Sequence, residues 1–258
     1  MNSYYERVGE HRFRPGAAAG GAWAPDEQHI APLTGLIVHE IERVAAGRGG
    51  GALVTSRISV DILGRLPMEE FEVRVETLRP GRTIELLEAV VTAGGRPTVR
   101  ARVWRLAGYD SGAVAGGEAG PLPGPETLPT TAPPPIWRSD FLDTLDIRYA
   151  GEPAPGRGAA WITSPLSLVA GEPASAVAEF VKVVDPANGI MVRASPAEWM
   201  FPNVDLTIHL HRTPAGPWTG LDVDVVLGPS GHGVTSTVLH DLHGPVGRAE
   251  QMLTVRPR

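Results

Sequence analysis

The sequence contains no cysteine, which excludes disulfides, thiolate metal sites and a thiol nucleophile, so its chemistry falls to oxygen and nitrogen. It has almost no lysine. Lys182 is the single one, and nearly all positive charge is arginine, whose planar fork suits phosphate. Long apolar runs are missing too, none approaching the roughly 18 residues of a membrane span. The first residues, MNSYYERVGEHRF, lack the basic start, apolar stretch and small-residue cleavage site of an export signal, so a cytoplasmic protein with no membrane partner is expected. A basic patch is also lacking: the formal net charge is −6, which argues against a nucleic-acid partner.

What is present is a soluble globular composition, with 42% hydrophobic and 20% charged residues over 258 positions. That length suits one large domain or two of roughly 120 residues. Residues 111–136 hold the stretch SGAVAGGEAGPLPGPETLPTTAPPP, too rich in Gly and Pro for a packed element, and read as a linker between units at 1–110 and 137–258. Before the linker, APLTGLIVHEIERVAAG has a helical stripe of Leu36, Ile37, Ile41 and Val44, with Pro32 suited to the first turn. Four β-branched runs follow it at 53–62, 70–78, 83–93 and 97–106, joined by turn signals. After the linker the order repeats. The segment EPASAVAEFVKVVD reads as a helix, and NVDLTIHLHR, GLDVDVVL, GVTSTVLHDL and GRAEQMLTV follow as strands.

A constant shift superposes the halves, carrying Ile58 onto Ile208, Val73 onto Val223, Gly81 onto Gly231 and Gly94 onto Gly244. A gapless shift that keeps both hairpin glycines points to an internal duplication. Helix followed by antiparallel strands, twice, suggests an α+β protein in which a sheet wraps each helix. The same shift sets Asp205 opposite Thr55, His209 opposite Ser59 and Gln251 opposite Ala101, so the chemically capable side chains lie in the second half.

Asp205, His211-Arg212, Trp218, the hairpin at Gly233, the DLHG turn and Gln251 in the last strand together resemble the C-terminal half of the type II (TesB-like) acyl-CoA thioesterases. VETLRPGRTIELLEAVVTAGGRPTVRARV and LTGLIVHEI are similar to the family's N-terminal half. The resemblance implies a double hot-dog, two tandem helix-wrapped antiparallel sheets. It implies a cytoplasmic hydrolase of fatty acid metabolism that cleaves a fatty acyl-CoA without a cofactor, as a homo-oligomer. In that family an Asp, a Thr or Ser and a Gln hold the attacking water. Carried over by position, the Asp falls on Asp205 and the Gln on Gln251, while the hydroxyl position falls on Val226, with Ser230 and Thr207 as nearby hydroxyls and His209 as an auxiliary group.

Thioester hydrolysis without a nucleophilic side chain needs a base for water, a group that holds it and donors for the oxyanion. Helix N-termini supply such donors, and Gly35 and Leu36 near the start of the first helix are the candidates. Arg212 is a candidate for a coenzyme A phosphate. No metal site is expected, because Asp205 lies too far along the strand to join His209 and His211 on one ion. The pocket is expected beside the first helix, with Trp23, His29 and Leu36 near its mouth. Two other readings stay open: a non-catalytic acyl-CoA-binding protein of the same fold, favoured by Val226, and an enoyl-CoA hydratase using PDEQH.

Overall fold

A computed structural model describes residues 2–24, 26–48, 53–117, 119–132, 137 and 139–258. The first half contributes strands β1 (Ser3–Arg7) and β2 (Arg12–Pro15), helix α1 (Ile30–Gly47), and strands β3 (Leu53–Ile62), β4 (Phe71–Arg79), β5 (Ile84–Ala93) and β6 (Arg96–Ala107). The second contributes β7 (Asp146–Tyr149), β8 (Arg157–Thr163), β9 (Ser167–Val169), α2 (Ala176–Val181), α3 (Ala187–Ile190), β10 (Trp199–Met200), β11 (Asp205–Leu210), β12 (Thr219–Leu227), β13 (His232–Asp241), β14 (Gly244–Thr254) and β15 (Arg256–Pro257).

Thirteen strands form one mixed sheet in the order β7-β8-β12-β13-β14-β11-β3-β6-β5-β4-β2-β1-β9. The halves meet where β11 pairs antiparallel with β3, Ile208 opposite Ile58. Outward from that seam the two sides have the same strand order, as the duplicated pattern requires. One strand breaks the correspondence. β9 runs parallel to β1, with Ser3 opposite Ser167 and Tyr5 opposite Val169, so a second-half strand completes the first-half edge.

Period-two alternation decides which face is which. In β11, Leu206, Ile208 and Leu210 are buried while Asp205, Thr207 and His209 face the other way. The buried face carries the helices. α1 presents Leu33, Leu36, Ile37 and Ile41 to that core, all fully buried. At Gly35 it crosses α2 so closely that a Cβ would lie 2.8 Å from both Leu168 Cδ2 and Lys182 Cβ. Among the described residues no helix is long and apolar enough to cross a membrane.

The second helix differs from the expected run over 172–185. Ser175 caps α2, its side chain accepting from Ala178 N at 3.1 Å, and α2 stops at Val181. The chain then turns over residues 182–186 before α3, and Pro186 disfavours a helical conformation at Asp185. Residues 111–117 and 119–132 form no strand apart from an isolated bridge of Thr131 to Ile147. They run against the second half, where Trp161 Nε1 donates to the Pro123 carbonyl at 2.6 Å.

Candidate active site

The turn that ends α2 leaves Asp185 5% exposed and surrounds its carboxylate with side chains from three other segments. β14 directs Gln251 inward between Ala249 and Leu253. Gln251 Nε2 donates to Asp185 Oδ1 at 3.0 Å and to the Asp185 carbonyl at 2.9 Å. Asn203, just before β11, donates from Nδ2 to the same Oδ1 at 2.8 Å. Asp185 Oδ2 lies 3.4 Å from Nδ1 of His29, the N-cap of α1. Both halves of the chain therefore build one constellation.

Thr235 on β13 stands opposite Gln251 in the β13–β14 register. Thr235 Oγ1 and Gln251 Oε1 are both buried with no hydrogen-bond partner among the described residues. A buried polar atom left unpaired costs about 1–3 kcal/mol, so two side by side mark a place that chemistry, rather than stability, has shaped.

A cavity of about 330 Å³ opens in front of this cluster. Asp185, Asn188, Asn203 and His29 line its inner part, and Gly64, Arg65 and Arg256 belong to its exposed side. Arg65 is held by Asp26 and Glu27. Trp23 closes the apolar end, its ring perpendicular to Trp137 at 4.9 Å and to Phe201 at 5.3 Å. The cavity lies between the halves beside the start of α1, with Trp23 and His29 on its wall as expected. Leu36 is instead a fully buried core residue.

His29 has two duties. Its Nδ1 accepts from Ala31 N at 3.1 Å, which caps the helix, and its ring lies 4.4 Å from that of Phe141. Burial pushes the imidazole below its ordinary value of 6.5, against the opposing pull of Asp185, so the ring is neutral near pH 7. With the Ala31 amide occupied and Pro32 lacking an N–H, Ile30, the first residue of α1, is the first-turn residue that lines the cavity beside His29.

Several expected site residues lie elsewhere. Asp205 and Gln251 do not converge, because they occupy opposite faces of the sheet. Asp205 Oδ1 accepts from Met252 N at 2.6 Å, and Asp205 sits opposite Asp61 of β3. Thr207 shares that outer face, 3.4 Å from Ser59 Oγ, as does the exposed His209. Val226 is 56% exposed and Ser230 is exposed in the turn before β13, so the hydroxyl beside Gln251 is Thr235.

Gly35 is the sixth residue of α1, beyond the turn whose amides are free, and its missing side chain serves the helix crossing. Arg212 is engaged by protein: it meets Asp241 at 2.5 and 2.6 Å and donates to the carbonyls of Gly244 and Pro245. Among the described residues the His39, Glu40 and Glu172 group has metal-ligand proximity. The guanidinium of Arg7 already bridges both of its carboxylates, at 2.5 Å to Glu40 and 2.6 Å to Glu172, so the group is an ion-pair cluster.

Asp185, Asn203 and Thr235 escaped the sequence patterns, though each left a trace. Asp185 precedes a proline, Asn203 precedes a strand, and Thr235 lies across a hairpin from a polar residue on an apolar face.

The sequence matches the acyl-CoA thioesterase N-terminal domain over residues 20–106 and the acyl-CoA thioesterase C-terminal domain over residues 125–255. No curated protein matches the chain in sequence. Solved structures share its fold at low identity. The TesB protein of Mycobacterium avium subspecies paratuberculosis is 15% identical, with a TM-score of 0.69 over 98% of this chain and 96% of its own. The acyl-CoA thioesterase II TesB2 of Mycobacterium marinum is 14% identical, with a TM-score of 0.65 over 98% and 96%. A hot-dog-fold protein of unknown function from Alicyclobacillus acidocaldarius is 10% identical, with a TM-score of 0.73 over 98% and 95%. With the C-terminal domain alone matching more than half of its length and the N-terminal domain matching before it, the chain belongs to the acyl-CoA thioesterase family, and it is a thioester hydrolase of hot-dog fold.

Proposed function

We propose that the chain is a tandem double hot-dog that hydrolyses an acyl-CoA with a water held by Asp185, Thr235 and Gln251, Asp185 acting as the base in place of Asp205. The observation that carries this reading is the hydrogen bond of 3.0 Å from Gln251 Nε2 to Oδ1 of Asp185, a residue that lines the cavity. Gln251 and Asn203 both occupy Oδ1, which leaves Oδ2 turned to the cavity as the proton acceptor. Water adds through its oxygen to the thioester carbonyl carbon while its proton passes to Oδ2. The carbonyl oxygen takes up negative charge, and the Ile30 amide at the positive end of α1 stabilises it. Collapse of the adduct breaks the C–S bond. The sulfur leaves as thiolate, receives the proton from Asp185, and the products are the free acid and coenzyme A.

The test is coenzyme A release from a panel of acyl-CoAs by the parent, Asp185→Asn and Asp205→Asn. General-base catalysis contributes about 10²–10⁴-fold, so Asp185→Asn should lose that much kcat, whereas Asp205→Asn should keep turnover. The opposite pattern overturns the assignment. A parent that binds acyl-CoA without releasing coenzyme A would be a binding protein, and water addition to an enoyl-CoA would make it a hydratase.

A further inference from the structure

Behind the main cavity lies a second, smaller one of about 30 Å³, and the two share walls made by Ala22, Trp23, His29 and Asn188. Trp23 is the largest of these and stands between them. Its position is fixed from behind. Trp137 and Phe201 meet it edge to face, and Trp137 is pinned by an Nε1 to Gly189 carbonyl bond of 2.7 Å. Such perpendicular aromatic pairs hold one another beyond what their area burial contributes. Beyond Trp23 the small cavity continues along Trp137, Leu142, Pro186 and Gly189, a lining suited to a hydrocarbon.

We propose that Trp23 is the specificity-determining residue of this hydrolase: it ends the acyl channel and restricts the substrate to acyl-CoAs with short acyl chains. The inference rests on the thioesterase reading and extends it from reaction to substrate class. The exposed side of the main cavity carries Arg256, whose guanidinium suits a phosphate of coenzyme A, so the acyl group points inward. With its carbonyl at Asp185 and Ile30, the chain runs toward the indole and stops there. The small cavity of about 30 Å³ lies on the far side, and Trp23 is the largest side chain of the wall that the two share.

The test compares kcat/KM across straight-chain substrates from acetyl- to palmitoyl-CoA for the parent, Trp23→Ala and Trp23→Phe. A parallel calorimetric series uses non-hydrolysable alkyl-CoA thioethers, which read chain length without turnover. In the parent, each methylene that fits should raise kcat/KM about fourfold, and the rise should reverse at a short length. An indole buries about 150–250 Å² against roughly 30 Å² per methylene. Trp23→Ala should therefore move the optimum, and the tightest thioether, by roughly four carbons or more, and Trp23→Phe by fewer. Thermal melting identifies the folded variants, and Trp23→Phe carries the test if the alanine variant does not fold. A parent optimum at palmitoyl-CoA overturns the proposal, as does an unchanged length profile in a folded variant. If no acyl-CoA is cleaved but the thioether optimum still shifts, the thioesterase reading falls and the chain-stop role of Trp23 stands.

Discussion

Thr235 and Gln251 face each other across β13 and β14 one position out of the register that the connecting turn alone would set. The hairpin starts with Asp241 opposite Gly244, and a bulge at Leu239/His240 then shifts the pairing by one. A single-residue shift exchanges the two faces of a strand. Without the bulge Val234 would stand opposite Gln251, and the Thr235 hydroxyl would lose its place beside it.

Thr235→Val should separate activity from stability. The hydroxyl is buried without a partner among the described residues, so replacing it with a methyl group of similar shape should leave the melting temperature unchanged or raise it, with at most about 1 kcal/mol gained. If the hydroxyl positions water, kcat should fall by about 10²-fold, the scale of losing one precisely aimed catalytic group. Paired melting and turnover measurements check this, and a parallel loss of both would make Thr235 structural.

His29 should place an acid limit on activity. Burial lowers its folded pKa below the ordinary 6.5, so the stability gained by keeping the ring neutral is present above pH 6.5 and is lost as pH falls through the lowered value. A protonated Nδ1 would release the Ala31 amide and donate to Asp185 instead, occupying the oxygen that must accept a proton. His29→Asn keeps an N-cap residue and removes the imidazole. Its kcat/KM profile should lose the inflection that the parent shows below pH 6.5, while its melting temperature at pH 7 stays within a few degrees.

Glu172 should stabilise the protein in a defined pH window. The Arg7 guanidinium, opposed by burial and assisted by His39, holds its carboxyl down at about 2 from an ordinary 4.5. A depressed carboxylate contributes stability that is complete above pH 4.5 and is lost as pH falls from there toward 2. Glu172→Gln should cost about 1–2 kcal/mol at pH 7 after allowance for solvent screening. Denaturant midpoints should show that gap at pH 7 and a clearly smaller one at pH 3.

Gly35→Ala opposes two rules of different size. Within a helix, Gly to Ala is worth about 1 kcal/mol in favour of alanine. Here the new Cβ would meet Lys182 Cβ at 2.8 Å and the Ala178 carbonyl oxygen at 2.9 Å, and overpacking costs about 1–3 kcal/mol. Because one of the obstacles is backbone, the variant should melt lower than the parent, and a higher melting temperature would show that α2 can shift.

The helix followed by four strands was legible in both halves because period-two and helical spacing are local and each element buries one face. The edges were not. β1, β2 and β9 are short, and β9 joins β1 from the other half, a pairing with no local signature. Of the site, Gln251 was legible as a polar residue on an apolar strand face. Asp185 was hidden inside an apparent helix over 172–185 whose regular part stops at Val181. Asp205 misled because its strand alternates so regularly: spacing places it on a row of polar groups, and only tertiary packing shows that this row is the outer face. Thr235 was hidden by the bulge, which no count along the chain reveals.

The pairing of β9 with β1 also orders events at the ribosome. The first 110 residues contain α1 and most of their own sheet, yet the strand that covers their β1 edge ends at Val169, and Asp185, which faces His29, follows later still. A nascent first half therefore waits with a bare edge until the second half has begun to emerge. Synthesis on a single polypeptide supplies that missing strand from a tethered neighbour, where two separately translated chains would have to find each other by diffusion while both exposed strands were free to aggregate.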